Sequence, residues 1–472
     1  MHRRSPANEV GIGRQRWLRD TNRARCSFRN ASRRPPSAQH RDVTTQDGRR
    51  RRPANTHHPA RRGLRGFGYF RRLGPGFVTG AADDDPAGIG TYSQVGAVFR
   101  FDLLWTAVIS LPLASAVQET AARLGLASGR GLMALIRRRF ARPVLWFAAA
   151  LVVGANAFNI GADLGSMAEA FRLLMPLPFA LLVITFAGVI LLLEVFVSYE
   201  RYSLILRWLA LSIFAYVIEL LVVNVSWSDV ASGLVPSFQP TLASVEALVA
   251  IFGTTISPYL FVWQAGEEVE ERRAHHIRRV DAPELRRMRI DVVSGMAAGV
   301  LVMFSIMVSA ASTLGVHGAN DVQTAAEAAR ALEPIAGRFA SLLFAAGIVG
   351  TGLLAIPTLA GSAAYALAET FGWREGLGRK PKEAPGFYGV IGGAIVVGLS
   401  INFLGIDPIR ALYVSAILNG LAAPPLILLM LILANGRSRR HRSGWLSNAL
   451  MVAALLVMTA SAVAYVVGSL VG

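Results

Sequence analysis

Cysteine is all but missing. Cys26 is the only one in 472 residues, and it precedes every apolar run, so disulfides and thiolate metal sites are excluded from the body of the protein. Charge is scarce too: charged residues make up 17% of the chain and hydrophobic ones 53%, with a mean hydropathy of +0.44. That balance excludes an ordinary soluble protein of this length and points to a membrane-embedded one. The first seventy residues lack both an apolar run and a sustained amphipathic period, so they are neither a secretory signal nor a transit helix. No G-x-G-D loop occurs, which argues against an intramembrane aspartyl protease.

What charge there is sits unevenly. The formal net charge is +18, a value that by itself suggests nucleic acid, yet residues 1–72 carry 20 Arg against four acids and account for nearly all of it. Rich in Arg, Pro, Ser, Asn and Gln, residues 1–70 read as a disordered cytoplasmic tail beside an anionic inner leaflet. They are expected to be passive, or an over-extended gene start, with membrane-surface contact as the main alternative. No nucleic-acid partner is expected.

Residues 71–472 read as one domain in contact with the lipid bilayer. Apolar windows recur at 75–97, 101–122, 144–171, 178–197, 204–225, 245–266, 290–315, 339–370, 387–405, 410–434 and 446–471, giving eleven candidate helices. Lys and Arg gather on the cytoplasmic side of short loops, and alternate loops here hold twenty-three against five. The N-terminus is therefore expected inside and, with an odd helix count, the C-terminus outside a cytoplasmic membrane.

The window 75–97 qualifies only if its acids face inward, because it contains Asp83-Asp84-Asp85-Pro86-Ala87-Gly88. An ionised carboxylate at bilayer depth costs at least about 2.5–3.5 kcal/mol on insertion scales, so three in a row imply a buried, compensated site whose natural compensator is a cation. Pro86 removes a backbone donor while Gly80, Gly88 and Gly90 tolerate unwinding, so the helix is expected to break here and free carbonyl oxygens as hard metal ligands. The sixth window repeats the pattern in Gly253-Thr254-Thr255-Ile256-Ser257-Pro258-Tyr259. Breaks in the first helix of two successive five-helix blocks, about 73–225 and 245–434, with one more helix at about 446–471, mark an inverted-repeat transporter with its substrate at the midplane.

These residues resemble a known family, the Nramp divalent-metal transporters. Gly74-Pro75-Gly76, eight residues, then Asp85-Pro86-Ala87-Gly88 match the spacing of that family's G-P-x leader and D-P-G-N metal motif. Gly253 to Tyr259 falls on a helix-six motif that usually reads G-A-T-V-M-P-H. Weaker echoes are Arg123-Leu124-Gly125, Ala162-Asp163-Leu164 and Thr358-Leu359-Ala360-Gly361. The resemblance runs from about residue 70 to the end. It implies an all-α integral membrane protein of the LeuT-type fold, with two inverted repeats, one extra helix and broken helices one and six. It implies no enzyme and no resident cofactor, but secondary-active import of a divalent cation (Mn2+, Fe2+ or Mg2+), with proton coupling and oligomeric state left open.

The departures from the family bear on chemistry. Ser257 stands where a methionine thioether is usual, Gly88 replaces asparagine, and Tyr259 replaces histidine. Helix three usually supplies D-x-x-E, whereas Asp163 here is followed by Ser166 and then Glu169. In this it is similar to the Nramp-related magnesium transporters. Asp85 is implied as a direct ligand, with Asp84 or Asp83 as a second carboxylate, a Thr254 carbonyl and a Ser257 hydroxyl or carbonyl beside the Gly88 position. Such an all-oxygen site suits Mg2+, Mn2+ or Ca2+. Candidates for proton handling or gating are Asp163, Glu169, Glu119, Tyr259 and Asn419, with Glu194 and Glu219 as lesser ones. Glu267, Glu268, Glu270 and Glu271 read as a solvated charge cluster at the inner face, or as a vestibule attracting cations. The rival functions are an amino-acid or organic solute carrier of the same fold and a non-transporting metal sensor.

Overall fold

The computed structural model describes residues 75–197, 217–218, 220, 223–277, 280–315, 327, 329, 337–436 and 443–471. The tail 1–70 and most of the fifth window, Glu219 included, lie outside the described residues. In chain order the helices are α1 (Pro75–Asp83), α2 (Pro86–Phe99), α3 (Trp105–Ser128), α4 (Leu132–Arg139), α5 (Arg142–Arg172), α6 (Phe179–Phe196) and α7 (Trp227–Gly233). There follow α8 (Leu242–Thr255), α9 (Pro258–Ala274), α10 (Ala282–Thr313), α11 (Ala340–Phe371), α12 (Pro385–Ile401), α13 (Pro408–Ala434) and α14 (Trp445–Val471). The short helices α4 and α7 carry no apolar window and went unmarked in the sequence. Among the described residues, seven spans, with α8 and α9 taken as one, are long and apolar enough to cross a membrane.

Both expected breaks are present and alike. α1 ends at Asp83, and Asp85 is extended (φ −68°, ψ 172°) before Pro86 starts α2. Likewise α8 ends at Thr255, and Ser257 is extended (φ −81°, ψ 138°) before Pro258 starts α9. Proline suits the first helical position because its fixed φ is already helical and its missing N–H would have had no partner there.

Helix contacts sort the windows into two groups. The first, second, sixth and seventh pack together through α1 and α2 on α10 and α3 on α9 and α10; the third, fourth, eighth and ninth do so through α5 on α11 and α12. Each window thus keeps company with the one five places later, as two repeats of one five-helix unit require. α13 lies on α5 and α8, and α14 on α3, α8 and α13. This is the LeuT-type arrangement.

α1 meets α10 backbone to backbone. A β-carbon on Gly80 would stand 2.2 Å from the carbonyl carbon of Gly295, and one on Gly295 would stand 2.3 Å from the carbonyl oxygen of Gly76. Close approach of this kind is what small residues permit between membrane helices. One turn away Asp291 of α10 accepts the Gly76 amide at 2.7 Å, holding the start of α1.

Glu119 holds α3 to α10. Its Oε1 accepts from Arg123 on its own helix and from Nε and Nη2 of Arg289 at 3.0 and 2.7 Å. Glu119→Ala would leave two guanidiniums without their shared acceptor, and breaking a buried ion pair from one side costs about 3–5 kcal/mol. Since Arg289 is half exposed, a loss near the lower bound is expected in thermal unfolding. Proton stoichiometry should be unchanged; a stable variant with altered proton coupling would restore Glu119 as a proton group.

Candidate metal site

Three aspartates meet at the first break, and all three are buried, at 1–2% exposure. None faces water. Asp85 caps α2: its Oδ1 accepts the Gly88 amide at 2.7 Å, the position a carboxylate takes at a helix N-terminus. Its Oδ2 accepts from Asn159 Nδ2 of α5 at 2.9 Å and lies 3.4 Å from the Tyr259 hydroxyl of α9. That hydroxyl donates to the Ala82 carbonyl at the end of α1, at 2.7 Å. Tyr259 thus ties the second break to the first.

Asp84 does not join Asp85. A methyl group on Gly299 of α10 would stand 3.5 Å from Oδ2 of both Asp83 and Asp84, so these two carboxylates face α10 while Asp85 faces α5. An extended residue between two helices turns successive side chains apart, which sequence position alone conceals.

The second break supplies oxygens already engaged with one another. Ser257 Oγ is shared between the carbonyls of Gly253, at 2.6 Å, and Thr254, at 2.7 Å. The Thr254 hydroxyl lies by Gly88, where an added β-carbon would meet Asp83 O at 3.2 Å and Thr254 Oγ1 and Tyr92 Cε2 at 3.3 Å. The smaller residue at 88 therefore opens no extra cavity, since Tyr92 and Thr254 fill it. Among the described residues no ready-made group of three His, Cys, Asp or Glu side chains surrounds a single point. The donor set is mixed: a carboxylate, an asparagine, a phenol and the last-turn carbonyls of α1 and α8, which helix ends leave without intrahelical partners.

The remaining candidates separate. Asp163 is fully buried on α5, reached by the Ala87 amide at the start of α2, and it lies within the field of Asp85. Asn419 is buried on α13 with its Oδ1 unpartnered, beside Gly420, whose β-carbon position touches α8 at Val249. Glu169 is elsewhere: it pairs with Arg172 at 2.8 Å at the exposed end of α5 and leaves the list of gating groups. Glu194 is buried on α6, and among the described residues both its oxygens are unpartnered. Glu267 and Glu268 are not solvated but buried. Glu268 accepts from Gln264 at 3.0 Å, Gln264 accepts from Thr79 of α1 at 2.5 Å, and Glu267 accepts from Tyr365 of α11 at 3.3 Å. Glu270 accepts the Leu377 and Gly378 amides. This acidic run is a set of fastenings between α9 and its neighbours.

Sequence reasoning missed Asn159, Tyr92, Thr255 and Met303. Asn156, Asn159 and Asp163 recur at helical spacing in an otherwise apolar window, a polar stripe that marks an inward face. Asn156 Nδ2 donates to the Leu359 carbonyl at 2.9 Å. Met303 offers no local signal, yet its sulfur stands 3.9 Å from the Thr255 hydroxyl, which bonds Tyr92 at 3.0 Å. The thioether missing from position 257 has a counterpart near the break on α10.

Residues 76–468 match the family described as natural resistance-associated macrophage protein-like, Nramp. Among curated relatives, the divalent metal cation transporter MntH of Deinococcus radiodurans is 32% identical over 303 residues, 61% of this chain and 67% of that protein. MntH of Mycobacterium tuberculosis is 28% identical over 410 residues, 82% and 90% of the two chains. Among solved structures, the Eremococcus coleocola manganese transporter superposes with a TM-score of 0.65 at 20% identity, over 85% of this chain and 87% of that one. The nucleobase-cation-symport-1 family transporter Mhp1 in a closed conformation does so at 0.53 and 14% identity, over 83% and 92%. These last two likenesses are of fold.

Proposed function

The chain belongs to the natural resistance-associated macrophage protein-like (Nramp) family and is a transporter of divalent metal cations; we propose that it imports them into the cytoplasm, with Asp85 as the charge-bearing ligand. The observation that carries this reading is the meeting of the Asp85 carboxylate with the ends of two broken helices, through Tyr259, at a fully buried point. Burial of such a charge is tolerated where a cation arrives to balance it. An amino-acid carrier of this fold would instead present helix N-termini to a substrate carboxylate, and three aspartates there would repel it.

Asn159 orients the Asp85 carboxylate, and carbonyls of the unwound segments complete an oxygen-rich set with water retained on the ion. Substrates on this reading are Mn2+, Mg2+ and Fe2+, since the helix-six position is Ser257 and the nearby sulfur is that of Met303 on α10. Asp163 is the group on which proton coupling rests in this proposal, supported by its position in the field of Asp85. The loop arginines support an inside N-terminus and an outside C-terminus in the cytoplasmic membrane.

Purified protein in proteoliposomes tests the function. Time-dependent uptake of radioactive Mn2+, reduced by excess Mg2+ or Fe2+, is expected. Mn2+ binding without uptake would instead make the protein a metal sensor.

A further inference from the structure

Once Asp85 has its role, Asp83 and Asp84 are left over. Both are buried, the Oδ1 atom of each lacks a hydrogen-bond partner, and among the described residues no ion pair includes either. Their Oδ2 atoms flank a single spot on α10, each 3.5 Å from where a methyl on Gly299 would stand. Asp85 is occupied in another direction, by the Gly88 amide and by Asn159. The three carboxylates therefore do not share one centre.

Two adjacent carboxylates with free oxygens and no bonded base stay in a dry interior either as neutral acids or with a positive charge beside them. Gly299 presents no side chain against them, and the Gly80 carbonyl oxygen, 3.0 Å from the same point, adds a third oxygen. Tyr92 of α2 lies in the field of both aspartates and bonds Thr255 at 3.0 Å. The Met303 thioether follows one turn along the same face of α10.

We propose that Asp83 and Asp84 hold a second divalent cation against α10 at Gly299, separate from the ion at Asp85. A pair of carboxylates matches a double positive charge, and hard oxygen ligands suit Mg2+ or Mn2+. The break itself makes the division, because Asp83 closes α1 while Asp85 opens α2, so their side chains serve different neighbours. The second site extends the reading above, in which the break carries divalent ions.

Full-length protein in detergent, titrated with Mn2+ alone and followed by the paramagnetic resonance signal of free Mn2+, tests this. Two bound Mn2+ per chain are expected in the wild type, one in Asp83→Asn/Asp84→Asn and one in Asp85→Asn. If the double variant fails to fold, Asp83→Asn and Asp84→Asn are each expected to weaken one of the two sites by about tenfold or more and leave the other unchanged. A double variant or single variants with wild-type binding would overturn the second site. So would a wild type that binds one Mn2+ lost in Asp85→Asn, an outcome that leaves the Asp85 reading intact. A wild type that binds none would overturn both.

Discussion

Asp85→Ala is expected to abolish metal uptake while the protein still inserts and folds. The carboxylate both faces the second break and caps α2 through the Gly88 amide. Loss of a cap costs about 1 kcal/mol, and removing a buried charge lowers the desolvation cost, so the two effects on stability oppose each other. Nothing offsets the loss of a charged ligand. Groups that merely orient metal ligands cost about 10–100-fold when removed, so a ligand itself should cost more than about 100-fold in uptake. Asp85→Asn separates the roles, because asparagine caps helices as well as aspartate but brings no charge. Both variants should be inactive in proteoliposomes at wild-type protein density. Wild-type uptake by either would remove Asp85 from the ion's path.

Gly295→Val is expected to cost a large share of the protein's stability. The β-carbon alone would lie 2.3 Å from the Gly76 carbonyl oxygen and 3.0 Å from the Phe77 α-carbon, and backbone cannot step aside as a flexible side chain can. Overpacking costs about 1–3 kcal/mol where neighbours adjust; here α1 has to leave α10, so a loss of at least about 3 kcal/mol is expected. Gly154→Ala is the control, since nothing lies within 4 Å of its added carbon, and it should be neutral or slightly stabilising. Thermal unfolding in detergent measures both, and equal melting temperatures for Gly295→Val and wild type would refute the close approach.

The two breaks were legible because proline and buried aspartate are local signals, and each fell within a residue or two of its predicted place. The span order followed from the apolar windows. Direction was not legible. That Asp83 and Asp84 turn to Gly299 while Asp85 turns to Asn159 depends on helices more than seventy residues away in sequence. Glu119 and Glu169 looked alike as acids in apolar windows, yet one is gripped by Arg289 from α10 and the other by Arg172 at an open helix end. Glu267 and Glu268 looked solvated because Arg272 and Arg273 follow them, but α9 turns Glu268 toward Gln264 and Glu267 toward Tyr365. Composition reports how many charges a segment carries; the partner helix decides where they point.

Among the described residues none of the groups that bond Asp85 bears a positive charge, and that has an electrical consequence. A carrier whose binding residues keep their charge when empty moves with that charge as it turns between the two sides. Each elementary charge crossing a full membrane potential of 100 mV exchanges about 2.3 kcal/mol with the field. On the proposed reading the loaded site sets two positive charges against the Asp85 carboxylate and the empty one holds the carboxylate alone, so the loaded and empty forms would respond to voltage with opposite tendencies. An inside-negative potential would then draw the loaded form inward and return the emptied Asp85 carboxylate toward the outer face.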